Sequence, residues 1–345
     1  MAVTTASGVG RSAPFDLIGS LKSARVVAIL IALIWVPLMI YVMFGHQVGD
    51  AIKPYVLLPA IPAVTLLFLV SVVSFRESTV ALVGLGLVFF WLFIAVLVPY
   101  LPIFDPNKPL MPFALPGASK GDHYFWLGGD WKGRDMLSRV LWGSQRIFIW
   151  GITATGVAYV VGAILGLVAG YLGGWWDEII SFVANVLLSF PVMVLYILIL
   201  TYLGASGLNL VIAVTFASAP GIMRIVRGLT LDNKTRDYIF AAQTRGENPF
   251  YIMLVELLPN VRGPLIVDAC VRLGYTTATI ATLTFLGLGL PPPDPDWGLM
   301  IKEGASAAMM FKFSYMLLIP AFAVSSLILG FNLMADGLRE ISLKD

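Results

Sequence analysis

Long stretches without a charged residue dominate the chain and alternate with short polar segments. Many of them reach about 19 residues or more, which as helix is enough to cross the ~30 Å hydrocarbon core of a bilayer. The pattern predicts eight membrane-spanning helices, at 26–44, 55–75, 79–101, 147–170, 179–203, 208–228, 264–290 and 313–335. We therefore expect an all-α fold, a polytopic membrane helix bundle whose irregular backbone lies outside the lipid or inside protein.

The composition supports a membrane protein and excludes several other classes. Of the 345 residues, 59% are hydrophobic and 12% are charged, about half the charged fraction of soluble domains. The net charge of +2 is too small to indicate nucleic-acid binding. The single cysteine, Cys270, can form no internal disulfide, and the two histidines provide no His-rich metal site.

Lysine and arginine residues near the span ends predict the orientation, since they favour the cytoplasmic side. With eight spans, the side that holds both termini collects Arg11, Lys22, Arg25, Arg224, Arg227, Lys234, Arg236, Arg245, Arg262, Arg339 and Lys344. We expect a cytoplasmic tail at 1–25, a transmembrane hairpin at 26–78 and a six-helix core at 79–345. Within that core, loop 102–146 is expected to be extracytoplasmic, and loop 229–263 cytoplasmic.

The 229–263 segment predicts two short helices that are too short to span a membrane. Residues 232–235 have helix-start chemistry, and Gly246 followed by Asn248 and Pro249 favours a helix end. A second helix is expected from Pro249 to Pro259, with both helices lying along the membrane surface. The small residues at 241–242 leave a shallow surface there. The segment is either a docking element for a partner protein or a solvated connecting loop.

Four motifs carry a resemblance to a known family. Phe240-Ala241-Ala242, then Gly246 and later Leu258-Pro259-Asn260, resemble the EAA loop of ATP-binding-cassette (ABC) importer permeases. Three further motifs resemble the dipeptide and oligopeptide branch of that family. They are WLGGDWKGRDMLSR at 126–139, GYLGGWWD at 170–177, and FLGLG at 285–289 followed by Pro292, Pro293, Asp296, Trp297 and Gly298. The likeness covers about residues 123–345 and five predicted spans.

The resemblance implies a permease subunit of an ABC importer in the bacterial inner membrane. Such a subunit pairs with a homologous permease as a heterodimer, and the two line an alternating-access pathway through the membrane lipid. Two cytoplasmic ABC ATPases clamp the EAA loops, and an extracytoplasmic solute-binding protein delivers the substrate. Short peptides are the favoured substrate, with oligosaccharides or metal chelates as alternatives.

The chain is not expected to hydrolyse ATP itself. It contains no Gly-Lys dipeptide and therefore no P-loop that would cradle nucleotide phosphates. We expect no cofactor on this chain, with ATP and Mg bound by the partner ATPases.

The resemblance also assigns residues to the ATPase-coupling loop. They are Arg236, Asp237, Phe240, Ala241, Ala242, Arg245, Gly246, Glu256 and Pro259. The chain departs from the family at Phe240, where glutamate is usual, and at Glu256, where the peptide branch often has histidine. It also has three predicted spans ahead of the 102–146 loop, where one is typical. The extra hairpin is either a peripheral packing element or a contact for an accessory protein.

Two further groups of residues are candidates outside that loop. Asp268 and Arg272 are four residues apart near the start of the seventh span, so they share a helix face. They are either part of the pathway or its gate, or a simple pair near the membrane interface. A receptor-facing role is expected for Asp130, Arg134, Asp135, Arg139 and Trp297. For the charged members the resemblance also leaves a structural role open, and the alternative to both is a solvated amphipathic face.

Small and hydroxyl residues predict close contacts between spans. Gly162, Gly166 and Gly170 recur every four residues, which favours a tight helix contact, and Thr276, Thr277 and Thr279 can bond across helices.

A secondary transporter driven by an ion gradient is the different-class alternative. That class should carry carboxylates in its spans, and the fourth, fifth, sixth and eighth predicted spans contain none. A membrane enzyme would need a catalytic cluster at an interface, which the sequence does not present.

Overall fold

The computed structural model describes residues 60–75, 78–307 and 311–342, and these are helical apart from one short hairpin and irregular loops. The helices are α1 (Ala60–Ser74), α2 (Thr79–Leu97), α3 (Met136–Leu172), α4 (Gly174–Ser189), α5 (Val192–Leu203), α6 (Gly207–Asn233), α7 (Asp237–Thr244), α8 (Pro249–Asn260), α9 (Arg262–Leu286), α10 (Trp297–Ala307) and α11 (Tyr315–Ser342). Strands β1 (Ala118–Lys120) and β2 (His123–Phe125) pair antiparallel. The predicted tail at 1–25 and the span at 26–44 lie outside the described residues.

Helices α2 and α11 pack antiparallel through small residues. A methyl group on Gly84 of α2 would lie 2.7 Å from the carbonyl oxygen of Gly330. One on Gly337, farther along α11, would lie 2.6 Å from Cα of Ala81. At the end of this contact the Ser78 hydroxyl donates to Glu340 at 2.8 Å. The start of α2 and the end of α11 therefore lie side by side.

Helices α3 and α6 run parallel in close contact, which confirms the prediction from the three spaced glycines. Methyl groups on Gly162, Gly166 and Gly170 would lie 2.6–2.7 Å from side-chain atoms of the α6 residues Ile222, Val226 and Thr230, respectively. The partner numbers rise together along both helices. Two parallel helices of one chain need a return crossing between them, and α4 with α5 occupies that place in the sequence.

The return crossing is bent, which corrects the expectation of one continuous helix at 179–203. Helix α4 ends at Ser189, α5 begins at Val192, and their axes differ by 92°. Pro191 explains the break, because proline lacks the backbone N–H that would continue the helix and restricts the residue before it to extended backbone. Phe190 adopts that conformation, with φ −81° and ψ 139°.

The described residues contain up to six spans. Four helices are long and apolar enough to cross a membrane, and two bent pairs, α4 with α5 and α8 with α9, each qualify as one further span. Helix α9 runs antiparallel to α3, because Thr155 contacts Thr276 while Tyr159 contacts Asp268. These directions fit the predicted six-helix core, whereas the count of eight spans stays a prediction.

The hairpin preceding this core is described only in its second half. Helix α1 has 15 residues, fewer than the predicted span at 55–75. It packs on α2 through Phe68, whose ring lies 5.3 Å from that of Phe89 and 6.1 Å from that of Phe93. This contact with α2 supports a packing role for α1, and the alternative, a contact for an accessory protein, stays open.

Two loop predictions need correction. Helix α3 begins at Met136, well before the predicted start of its span at 147, because the Asp135 side chain caps it by accepting from the Ser138 amide at 2.8 Å. The segment between the seventh and eighth predicted spans, in which the sequence predicts no helix, holds α10. Asp296 accepts from the Leu299 amide at 3.0 Å, and this bond satisfies an amide in the first turn of α10.

Candidate functional site

The predicted pair of short helices in the 229–263 segment is present as α7 and α8. The predicted helix start at 232–235 is wrong, because α6 continues to Asn233 and α7 begins only at Asp237. The predicted end at Gly246 is confirmed, and this glycine has a φ of +76°, the left-handed conformation that glycine adopts at low cost. The Asn248 side chain then starts α8 by accepting from the Phe250 amide at 2.9 Å.

One face of α7 and α8 is buried against the ends of α3 and α6. Ile239 and Ala242 of α7 have no exposed surface and belong to the same apolar cluster as Val226 of α6 and Leu167 of α3. Helix α8 contributes Ile252, Met253 and Leu257 to that cluster. The two helices are therefore anchored to the bundle, in contrast to a solvated connecting loop.

The opposite face of the pair exposes large apolar side chains. Phe240 is 53% exposed, beside the exposed Ala241. Helix α8 adds Phe250, Tyr251, Leu254 and Val255, all exposed. We call these six residues the coupling face. Apolar side chains displayed on an anchored amphipathic element are typical of a protein contact surface.

An ion pair joins α7 to α8 and gives Glu256 a structural role that the sequence did not reveal. Arg245 Nη2 lies 2.9 Å from Glu256 Oε1, and Arg245 Nε lies 3.6 Å from Glu247. Of the other predicted coupling residues, Arg236, Asp237 and Pro259 are exposed, while Ala242 is buried. Arg245 already has carboxylate partners within the segment, which leaves Arg236 and Asp237 as the exposed charges of α7.

The 170–177 motif ties this segment to the bundle. Gly170 accepts from Lys234 Nζ at 3.1 Å, and the Tyr171 hydroxyl accepts from Gln243 of α7 at 3.3 Å. Asp177 at the start of α4 forms two bonds to the Arg227 guanidinium of α6, at 2.5 and 2.6 Å. The motif therefore fixes the position of α7 relative to α3, α4 and α6.

Four of the five charged residues of the 126–139 motif are buried, and only Lys132 is exposed. The burial of these four supports a structural role and corrects the receptor-facing and the solvated interpretation of their side chains. Arg134 donates to Asp130 at 2.5 Å and to Glu303 of α10 at 2.6 Å. Arg139 has no exposed side-chain surface and lies 3.8 Å from both carboxylates. Asp135 is likewise buried, as the cap of α3. These buried residues therefore join the 102–146 segment to α10.

Trp297 is also a core residue. Its indole nitrogen donates to the Val140 carbonyl at 2.8 Å, and its ring meets that of Trp91 edge-on at 4.8 Å. Gly143 of α3 admits the ring, because a methyl group there would lie 2.6 Å from it. Beside it, burial raises the pKa of the Asp296 carboxyl. The buried Trp297 side chain therefore holds the start of α10 against α3.

Asp268 and Arg272 form the predicted pair, with Arg272 Nε donating to Asp268 Oδ2 at 2.7 Å. Tyr159 of α3, which the sequence did not indicate, also bonds to Asp268. Arg272 is the eleventh residue of the 25-residue α9, so it lies near the middle of the helix and not near its start. Among the described residues, no group of three or more His, Cys, Asp or Glu side chains could hold a metal ion.

Comparisons with known proteins agree with the motifs. Residues 162–342 match the family described as "Binding-protein-dependent transport system inner membrane component". A dipeptide transport system permease protein, DppC, of Haemophilus influenzae is 34% identical over 269 residues, 77% of this chain and 90% of that protein. A glutathione transport system permease protein, GsiD, of Pectobacterium atrosepticum is 39% identical over 215 residues, 62% of this chain and 71% of that protein. The DppC of Alkalihalophilus pseudofirmus is 33% identical over 265 residues, 77% of this chain and 86% of that protein.

Proposed function

The chain belongs to the family of binding-protein-dependent transport system inner membrane components, and from this membership we propose that it is the permease subunit of an ABC importer for short peptides. It is a multi-pass membrane protein of an importer that includes other subunits. The observation that carries the finer proposal is the coupling face, apolar and exposed on a helix pair that is anchored to the bundle. Such a pair can transmit force from a partner to α3 and α6.

The partner proposed for the coupling face is a cytoplasmic ABC ATPase. With a second, homologous permease in the complex, two ATPases would each meet one such face, and ATP and Mg would be bound there and not on this chain. Phe240 replaces the glutamate usual in the family, so the contact relies on apolar burial, with Arg236 and Asp237 as flanking charges. Apolar anchors in a desolvated contact carry much of the binding energy of such interfaces.

The lysine and arginine residues of the 229–263 segment support its cytoplasmic orientation, and the packing directions support the opposite side for the 102–146 segment. Ser78 and Glu340 meet at 2.8 Å, so the spans between them are even in number. The parallel pair α3 and α6 ends on one side, where α7 and α8 pack on them. The 102–146 segment and α10 then lie on the opposite side, where an extracytoplasmic binding protein would dock.

Short peptides are the proposed substrates because two of the relatives above are named for dipeptide transport and one for glutathione transport. The oligosaccharide alternative has no support among these three. Reconstitution of this chain with its partner permease, ATPases and binding protein in vesicles tests the proposal directly. ATP-dependent accumulation of a dipeptide is expected, and uptake of only an oligosaccharide would contradict it.

Replacement of Phe240 by alanine tests the coupling face. We expect a loss of about 1–4 kcal/mol in the contact with the ATPase, measured as reduced co-purification and reduced ATP hydrolysis on addition of loaded binding protein. Phe322→Ala is the matched control, because Phe322 is equally a large exposed side chain but lies on the spanning helix α11. Surface positions outside the contact should change it by less than about 0.5 kcal/mol.

Gly246→Val should impair coupling as well, since a β-branched side chain resists the positive φ of this position. Normal assembly and normal transport in both the Phe240 and the Gly246 variants would contradict the proposed contact.

A further inference from the structure

Polar side chains form a continuous stripe along the spanning helix α9. Asp268, Arg272, Tyr275, Thr279 and Thr282 follow one another at spacings of four, three, four and three residues, which places them on one helix face. Tyr275 and Thr282 are exposed, and the side chains of Asp268 and Arg272 are each 22% exposed. A polar stripe on a spanning helix is costly against lipid and is typical of a face toward a water-filled pathway.

Arg272 is the second residue of this stripe and lies near the middle of α9. With a rise of about 1.5 Å per residue, it lies roughly 15 Å from the start of a helix about 37 Å long. Among the long helices that the structure describes, no other charged residue lies as close to the middle of its helix. A guanidinium in the middle of a span needs a partner that compensates its charge, because an uncompensated charge there is strongly unfavourable.

Asp268 and Tyr159 hold the Nε edge of the guanidinium, while the terminal nitrogens lie near Gly221 on a side chain that is 22% exposed. Nε donates to Asp268 at 2.7 Å, and the Tyr159 hydroxyl bonds to the same carboxylate from α3. On the other side Nη2 and Nη1 face Gly221 of α6, where a methyl group would lie 3.3 and 3.5 Å from them. Gly221 has no side chain at this point of α6, and Pro220 precedes it inside the helix. Asp268 is the one carboxylate within ion-pair distance of Arg272 in the described residues.

We propose that Arg272 is a substrate-binding residue that receives the terminal carboxylate of a peptide on its two terminal nitrogens, with Asp268 and Tyr159 as positioning residues. The planar guanidinium matches a carboxylate with two parallel hydrogen bonds. The inference rests on the proposed function, since it names the part of the peptide that this chain contacts. A neutral oligosaccharide has no carboxylate that could form this paired contact.

The test compares a peptide that has a free carboxylate with the same peptide as its amide. Uptake of both is measured in vesicles that contain the complete importer, at concentrations that saturate the binding protein with either peptide. The ratio of the two rates is determined for the unaltered chain and for Arg272→Gln. Because the binding protein is identical in both complexes, its own preference cancels when the two ratios are compared, as in a double-mutant cycle.

We expect Arg272→Gln to lower the acid-to-amide ratio on the order of tenfold, the range of one charge-assisted interaction. Arg272→Lys keeps the positive charge and should fall between the two. Arg146→Gln is the matched control, because it removes an arginine of similar exposure, 24%, from a 3.0 Å pair with Asp294 outside the stripe. This control should leave the ratio unchanged.

Other outcomes distinguish a failure of the proposed binding role of Arg272 from a failure of the proposed peptide import. A uniform decrease for both peptides in Arg272→Gln, or an unchanged ratio, would overturn the binding role while leaving peptide import in place. If the unaltered complex imports neither peptide, the proposed function itself fails. Co-purification with the partner subunits shows that each variant is assembled, and Arg272→Lys keeps the test open if Arg272→Gln does not assemble.

Discussion

At the scale of single residues, the buried contact between Arg134 and Glu303 joins the 102–146 segment to α10. The charges at 130–139 suggested a surface, yet Arg134 and Arg139 are buried and lie between Asp130 and Glu303. No local pattern marks Glu303 as their partner, because it is more than 160 residues away in the chain. Likewise the pairing of Arg245 with Glu256 needs the turn at Gly246, which the sequence predicted, and the register of α8, which it did not.

Removal of Arg134 should destabilise the protein strongly. Its loss leaves Asp130 without its closest cation in a buried site, and breaking such pairs costs about 3–5 kcal/mol. Arg134→Ala should therefore lower the midpoint of unfolding in detergent, with the loosening confined to the 102–146 segment and α10 in hydrogen exchange. Arg339→Ala removes an arginine that is 61% exposed and pairs with an exposed Asp336, and it should change stability by less than about 0.5 kcal/mol. Equal effects of the two changes would contradict this account.

At the scale of helices, hydropathy located the spans but not their shape. A charge-free run reports that a segment is buried in lipid or protein, and it carries no information on direction. Pro191 was the available signal for the 92° bend between α4 and α5, since it interrupts an otherwise uniform run. The spaced glycines of α3 were more informative, because small residues at that interval permit only a close helix contact.

Gly166→Leu should weaken the contact between α3 and α6. A side chain there begins 2.6 Å from Cβ of Val226, so the helices must separate, and such overpacking costs about 1–3 kcal/mol. Gly156→Leu is the control on the same helix, where nothing lies within 4 Å of the added carbon. We expect a lower unfolding midpoint and weaker coupling for Gly166→Leu only, because α7 and α8 rest on the ends of both helices. An unchanged midpoint would show that the contact is not tight.

At the scale of the whole molecule, the sequence predicted the fold class and the order of the motifs, while the path of the chain needed the structure. Long apolar runs can form only helices in lipid, so an all-α bundle follows from them directly. The six-span core from Thr79 onward required the packing directions of α2 with α11 and of α3 with α6. The predicted eight-span total also depends on 26–44, which lies outside the described residues.

Deletion of residues up to 76 should leave transport intact and lower stability. Helix α1 contacts α2 through aromatic rings and carries none of the four motifs, and an even number of predicted spans is removed. The core then keeps its orientation, which peptide uptake and ATPase co-purification would report. Deletion of residues 1–45 removes one predicted span and should instead invert or abolish insertion. A shortened chain that assembles with its ATPases but shows no uptake would place the hairpin in the transport mechanism.

The bond between Ser78 and Glu340 has a consequence for how this unit can be rearranged. The two ends of the core are neighbours in space. A linker could therefore join these two ends, and the chain could begin and end at another position. Chains whose ends adjoin tolerate circular permutation when the new opening falls in an exposed turn. A short linker from residue 342 to residue 78, with new termini within the exposed 204–206 turn, would keep every helix contact described above while changing the order in which the spans enter the membrane.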